Sequence, residues 1–145
     1  FDIPDILEEN SVDLVITSPP YWNILTEKRS ADLKEIRKYS DSEEDLGNIQ
    51  DYEKFLEKLK GAFSGIYKVL KKNKYFIVVV MDIRKKSKFY PFHIDIIRKV
   101  TELGFELDDI VIWDRQKDYN NMKPLGYPSV FRINKVHEFI LIFKK

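Results

Sequence analysis

Six consecutive residues, Thr17-Ser18-Pro19-Pro20-Tyr21-Trp22, set hydroxyls, two prolines and two aromatic rings side by side. They follow a strand-like run from Val12 to Ile16, itself preceded by Asn10-Ser11. Proline donates no backbone hydrogen bond and fixes its own φ, so a strand cannot continue through Pro19 and Pro20. Proline also drives the residue before it, here Ser18, out of the helical region. The chain must therefore leave the sheet rigidly, with Ser18 and the carbonyls around Pro19 held in fixed directions. Fixed acceptors beside an aromatic face suit a flat molecule that carries an amino group, such as a nucleobase.

The segment S-V-D-L-V-I-T-S-P-P-Y-W, Ser11 to Trp22, resembles motif IV of the DNA amino-methyltransferases. These enzymes move a methyl group from S-adenosyl-L-methionine to the exocyclic amine of cytosine (N4) or adenine (N6). Their tetrapeptide reads Asp, Asn or Ser, then Pro-Pro, then an aromatic residue. Ser18 with Thr17 before it and Trp22 after it looks most like the cytosine-N4 enzymes, although some adenine enzymes also carry Ser. The resemblance implies that Ser18, Pro19, Pro20 and Tyr21 form the catalytic turn, with Tyr21 stacking on the base. Trp22 is a second candidate for substrate contact, with packing in the core as the equal alternative.

The chemistry follows from what an aryl amine needs. Its lone pair is delocalised into the ring, which makes it a poor nucleophile. Acceptors at its two protons favour a tetrahedral nitrogen with the lone pair exposed. The Ser18 hydroxyl oxygen could supply one acceptor, and the Pro19 carbonyl, made rigid by Pro20, the other. Positioning and electrostatics then carry the reaction, with no covalent enzyme intermediate and no metal. A base inside a duplex must be flipped out to reach such a turn.

These residues need a sheet to hold them. Val12 to Thr17 reads as a buried strand. Asn23 to Gln50 is long, polar and charged, and reads as a functional or disordered loop with a short helix near Ala31 to Tyr39. Asp51 suits a helix N-cap with Lys54 at the third helical position. Phe55, Leu59, Phe63, Ile66, Val69 and Leu70 recur behind it at helical spacing. Lys74 to Met81 is a strand without alternation, as in a sheet covered on both faces. Pro91 to Leu103 reads as a second helix, closed by Gly104. Glu106 to Trp113 and Glu138 to Lys144 are strands, and Asp114 to Asn134 between them reads as irregular. This order predicts a doubly wound α/β sheet, mostly parallel, with an antiparallel strand near the C-terminal end. The methyltransferase resemblance implies the same incomplete Rossmann-like arrangement and extends along nearly the whole chain. Residues 1–145 read as a single catalytic domain, or the catalytic portion of one.

The resemblance also implies a part that the sequence lacks. The family holds its cofactor on an Asp-x-Phe-x-Gly-x-Gly turn. The five glycines here, Gly47, Gly61, Gly65, Gly104 and Gly126, never fall at that spacing. In the permuted class the catalytic motif precedes the cofactor motif, which would then lie beyond Lys145. Asp82, at the carboxyl end of a central strand, could touch the cofactor or the base, with helix capping or a salt bridge as its structural alternative. Asp2 lies where the family often has an acidic residue near the cofactor.

Composition limits the partners. Cysteine is absent, which excludes disulfides, cysteine metal sites and the attacking thiol of cytosine carbon-5 methylation. His93 and His137 are isolated, so no metal site is expected. No apolar run approaches the ~20 residues of a membrane span. Net charge is only +1. The cations cluster, however, at Lys68, Lys71, Lys72 and Lys74, and again at Arg84, Lys85, Lys86 and Lys88, and such clusters fit phosphate contacts. Arg115, Lys117, Asn120, Asn121 and Lys123 form a polar stretch able to read bases or phosphates, with an ordinary solvated loop as the equal alternative. The resemblance implies double-stranded DNA with a flipped base as partner. It further implies a cytoplasmic restriction-modification setting with a companion endonuclease. The alternative is a DNA-binding or regulatory remnant of the methyltransferase fold without catalysis.

Overall fold

The computed structural model describes residues 3–22, 46, 49–85, 87–118, 124–125 and 128–145. The expected short helix near Ala31 to Tyr39, with most of the loop around it, and Asp2 lie outside them. So do Lys86, Asn120, Asn121 and Lys123.

A four-residue helix α1 (Ile3–Ile6) leads into strand β1 (Val12–Thr17). Helix α2 (Tyr52–Val69) follows, then β2 (Leu70–Val80). The short strands β3 (Ile83–Lys85) and β4 (Lys88–Tyr90) precede helix α3 (Phe92–Thr101) and β5 (Glu106–Asp114). Two further short strands, β6 (Pro124–Leu125) and β7 (Arg132–Ile133), come before β8 (His137–Lys144).

The main sheet has the order β1-β2-β8-β5. β1 and β2 are parallel, and β8 pairs antiparallel with both β2 and β5. Strands β1, β2 and β5 therefore run the same way, with β8 reversed between β2 and β5. This is the mostly parallel α/β sheet that the element order predicted. Register assigns the two faces. Phe76, Val78 and Val80 of β2 lie opposite Phe143, Leu141 and Phe139 of β8, so all six share one face. That face packs against Phe55, Leu59, Phe63 and Ile66 of α2 and Phe92, Ile96 and Val100 of α3. The opposite face presents Leu14 and Ile16, which remain 49% and 61% exposed among the described residues.

Helix boundaries follow local chemistry. The Asp51 carboxylate accepts from the Lys54 backbone N–H at 2.8 Å, which caps α2 as its sequence position suggested. Gly104 takes φ +101° just past α3, where a side chain would be strained. A Cβ there would also lie 3.1 Å from the Tyr67 hydroxyl.

Two differences from the sequence reading stand out. β2 begins at Leu70 rather than Lys74, because Ser11 donates to the Val69 carbonyl and Val12 pairs with Leu70. The β3–β4 hairpin lies between elements that the sequence reading named, and the stretch expected to be irregular, Asp114 to Asn134, contains the β6–β7 hairpin; strands of two or three residues leave no detectable alternation.

Candidate active site

The carboxyl ends of β1, β2 and β5 and the start of β8 meet at one edge of the sheet. Ser18 follows β1, Asp82 follows β2, Arg115 follows β5, and Glu138 opens β8. Ser18 is exposed, whereas Pro19 behind it is buried and Pro20 half-buried. Neither the Ser18 hydroxyl nor the Pro19 carbonyl has a hydrogen-bond partner among the described residues. The turn thus leaves the Ser18 hydroxyl open beside a buried, fixed backbone.

Tyr21 is half-buried beside this turn. Its ring meets Phe92 edge-on, with centroids 6.4 Å apart. Its hydroxyl lies 3.5 Å from Glu138 Oε2, the outer limit of an O–H···O contact. Glu138 is only 5% exposed, and its other oxygen accepts from Arg115 Nη1 at 2.8 Å. Arg115 also donates from Nε to Asp118 at 2.7 Å, and its backbone N–H donates to the Val136 carbonyl. The Glu138 charge is therefore compensated on the side away from Tyr21, as a buried carboxylate requires.

Trp22 turns inward. It is 4% exposed, and its indole N–H donates to the Ile49 carbonyl at 2.7 Å. Tyr52 and Tyr90 meet its ring edge-on, each with centroids 5.1 Å away. Its backbone adopts φ +47°, a strained value for a bulky side chain that this packing holds in place. Of the two roles open to Trp22 in the sequence, its surroundings match core packing. Tyr52 donates to Asp95 Oδ2 at 2.8 Å, and burial together with that carboxylate pushes the phenol far above its ordinary range.

The Asp82 carboxylate is occupied. Oδ1 lies 2.5 Å from His93 Nδ1 and accepts from the His93 backbone N–H at 3.3 Å. The His93 ring stacks on Phe139 at 3.9 Å with planes 12° apart. Pro91 supplies no side-chain cap to α3, and Asp82 meets that need from across the chain. Lys135 Nζ in turn donates to the Asp82 carbonyl at 3.2 Å. The structure thus ties Asp82 to the first turn of α3 at this edge of the sheet.

No described glycine lies in a turn of the kind that the resemblance implies for the cofactor. Gly61 and Gly65 lie within α2, Gly104 ends α3, and Gly47 and Gly126 lie outside the described residues. Among the described residues no cluster could hold a metal ion. No helix among the described residues is long and apolar enough to cross a membrane. The first basic cluster sits at the amino edge, far from Ser18, where Lys71 and Lys74 pair with Asp13 at 2.7 and 3.3 Å.

Sequence reasoning missed the Glu138–Arg115 pair. Its signal was present as an acidic residue heading an otherwise apolar strand, but only the fold brings Arg115 across from β5.

Comparison with known proteins agrees with this geometry. Residues 12–145 match the model of a DNA methylase family. The chain is 27% identical over 154 residues to the type II methyltransferase M.MthZI of Methanothermobacter thermautotrophicus, covering 96% of this chain and 41% of that protein. It is 26% identical to M.MjaI of Methanocaldococcus jannaschii, covering 97% of this chain and 52% of the relative. The chain therefore spans about half the length of the curated relatives it matches. Among solved structures, a DNA modification methylase of Thermus thermophilus in complex with S-adenosyl-L-methionine superposes with a TM-score of 0.69 at 27% identity, over 99% of this chain and 53% of that one. The cytosine-N4-specific PvuII DNA methyltransferase shares the fold, with a TM-score of 0.63 at 19% identity over 97% of this chain and 44% of that one.

Proposed function

The chain belongs to the DNA methylase family, and on that premise we propose that it carries the amine-binding side of a DNA methyltransferase active site. Its substrate on this reading is the exocyclic amine of a base flipped out of double-stranded DNA. The observation that carries the reading is the exposed Ser18 hydroxyl at the carboxyl end of β1, without a hydrogen-bond partner among the described residues and braced by buried Pro19. The Ser18 oxygen and the Pro19 carbonyl accept the two amine protons and draw the nitrogen toward a tetrahedral shape. Tyr21 stacks on the base, and its ring is steadied by Phe92 and by the Glu138–Arg115 pair. S-adenosyl-L-methionine, when bound, supplies an electrophilic methyl group. Ser18 and the following Trp22 favour cytosine N4 over adenine N6, in a restriction-modification system with a companion endonuclease.

The test is methyl transfer by the complete protein from labelled S-adenosyl-L-methionine to duplexes whose only candidate base is cytosine or adenine. Label on the N4 of cytosine is expected. Transfer to neither base would contradict the reading.

One observation favours a second reading, a DNA-binding remnant without catalysis: the five glycines never fall at the spacing of the family's cofactor turn. Calorimetry on the complete protein separates the two. Micromolar cofactor binding, about -8 kcal/mol, belongs to the enzyme, and its absence to the remnant.

A further inference from the structure

Beyond Tyr90, which packs on Trp22, the β3–β4 hairpin has no part in the site described above, yet it leaves the sheet directly after Asp82. Its cross-strand pairs are Ile83 with Tyr90, Arg84 with Phe89, and Lys85 with Lys88. Directly opposed residues share a face, and faces alternate along each strand. Ile83 is buried and Tyr90 joins the Trp22 cluster, so their face is the inner one. Lys85 Nζ lies over the Trp22 ring at 4.4 Å, and Lys88 Nζ over Tyr90 at 4.9 Å. Arg84 and Phe89 form the outer face.

Phe89 is 41% exposed and has two cations on its ring. The Arg84 guanidinium is 5.3 Å from the ring centroid, and Lys135 Nζ is 4.4 Å from it. Lys135 arrives from a different part of the chain, just before β8. Like charges gathered on one ring repel each other, and among the described residues no carboxylate side chain forms an ion pair with Arg84, Lys88 or Lys135. Burial lowers the Lys135 pKa; the Asp82 charge pulls it up, and the nearby Arg84 adds a smaller push down. Such an arrangement is stabilised by an anion from outside. The polymer that reaches this edge, if the chain acts on DNA, carries one phosphate per nucleotide.

We propose that Arg84 and Lys135, held together by the Phe89 ring, form a binding site for a backbone phosphate of the DNA strand that enters the Ser18 turn. The choice of DNA as the source of that phosphate rests on the proposed function above. Lys135 ties the site to the active edge through its bond to the Asp82 carbonyl, so an occupied site fixes the strand relative to the turn. Phe89 acts as a positioning residue, since it touches the two cations rather than the phosphate.

The experiment is binding of a fluorescent duplex to the complete protein, followed across a salt series. Arg84→Gln should weaken binding severalfold, equally for all sequences, and flatten the slope of log affinity against log salt by about one. Arg84→Lys should retain the slope. Phe89→Leu leaves the net charge unchanged and should still weaken binding severalfold. Lys72→Gln removes the same charge from the amino edge and should change neither affinity nor slope. Wild-type binding by Arg84→Gln and Phe89→Leu would overturn the proposal, and so would an equal loss in Lys72→Gln. Methyl transfer by the unaltered protein is read separately. Its failure would remove the enzymatic reading and leave the phosphate site standing on the binding data.

Discussion

The Tyr21 hydroxyl lies 3.5 Å from Glu138 Oε2, which joins the turn after β1 to the first residues of β8 across the intervening strand β2. Three segments distant in sequence thereby act on one ring, because Arg115 holds the other Glu138 oxygen.

The contact is long, so its two partners should respond differently to substitution. Tyr21→Phe removes only a weak hydrogen bond and should cost under ~1 kcal/mol of stability while keeping most methyl transfer. Glu138→Ala takes one carboxylate partner from a half-buried Arg115, which keeps Asp118, and should cost about 1.5–3 kcal/mol. Urea unfolding of the two variants measures both. Equal losses would mean that the hydroxyl contact, not the ion pair, holds the edge.

Trp22→Ala should behave as a core substitution. Removing a ring packed between Tyr52 and Tyr90 should cost about 3–5 kcal/mol. Denaturant unfolding is the measurement. Full stability combined with weaker DNA binding would instead make Trp22 a substrate contact.

Tyr52 gives the fold a dependence on alkaline pH. Burial, followed by the Asp95 carboxylate, raises its pKa above the ordinary value of 10.0. Below pH 10.0 the phenol is protonated in folded and unfolded chains alike, and its stabilising contribution is fully present. Above that pH the unfolded chain ionises first, so the contribution falls as pH rises. Stability should therefore decline above about pH 10 in the wild type and decline less in Tyr52→Phe. At neutral pH the same variant should lose about 1.5–3 kcal/mol with the hydrogen bond to charged Asp95. Thermal melts from neutral to strongly alkaline pH would show both effects, and parallel curves would contradict the assignment.

Most of the sheet was legible because its signals are local. Tyr75 to Val80 is a continuous apolar run, Asp51 is a capping residue at the start of a periodic stretch, and Pro19-Pro20 must end a strand. The turn itself was legible for the same reason. What escaped depends on contacts between distant segments. The fate of Trp22 is set by Tyr90, far along the chain, and that of Asp82 by the missing cap of α3. Glu138 and Arg115 belong to adjacent strands whose pairing no local pattern announces. The two small hairpins are held by strand pairs too short to leave a period.

The central claim is that Ser18 supplies a hydrogen bond that matters in the transition state. Single-turnover methyl transfer by the complete protein with Ser18→Ala, measured beside its DNA affinity, tests it most directly. A positioned acceptor of this kind is worth a few kcal/mol, so the rate should fall roughly 100-fold or more while DNA affinity stays nearly unchanged. Full rate on both cytosine and adenine duplexes would make the Ser18 turn a structural strand end and contradict the account.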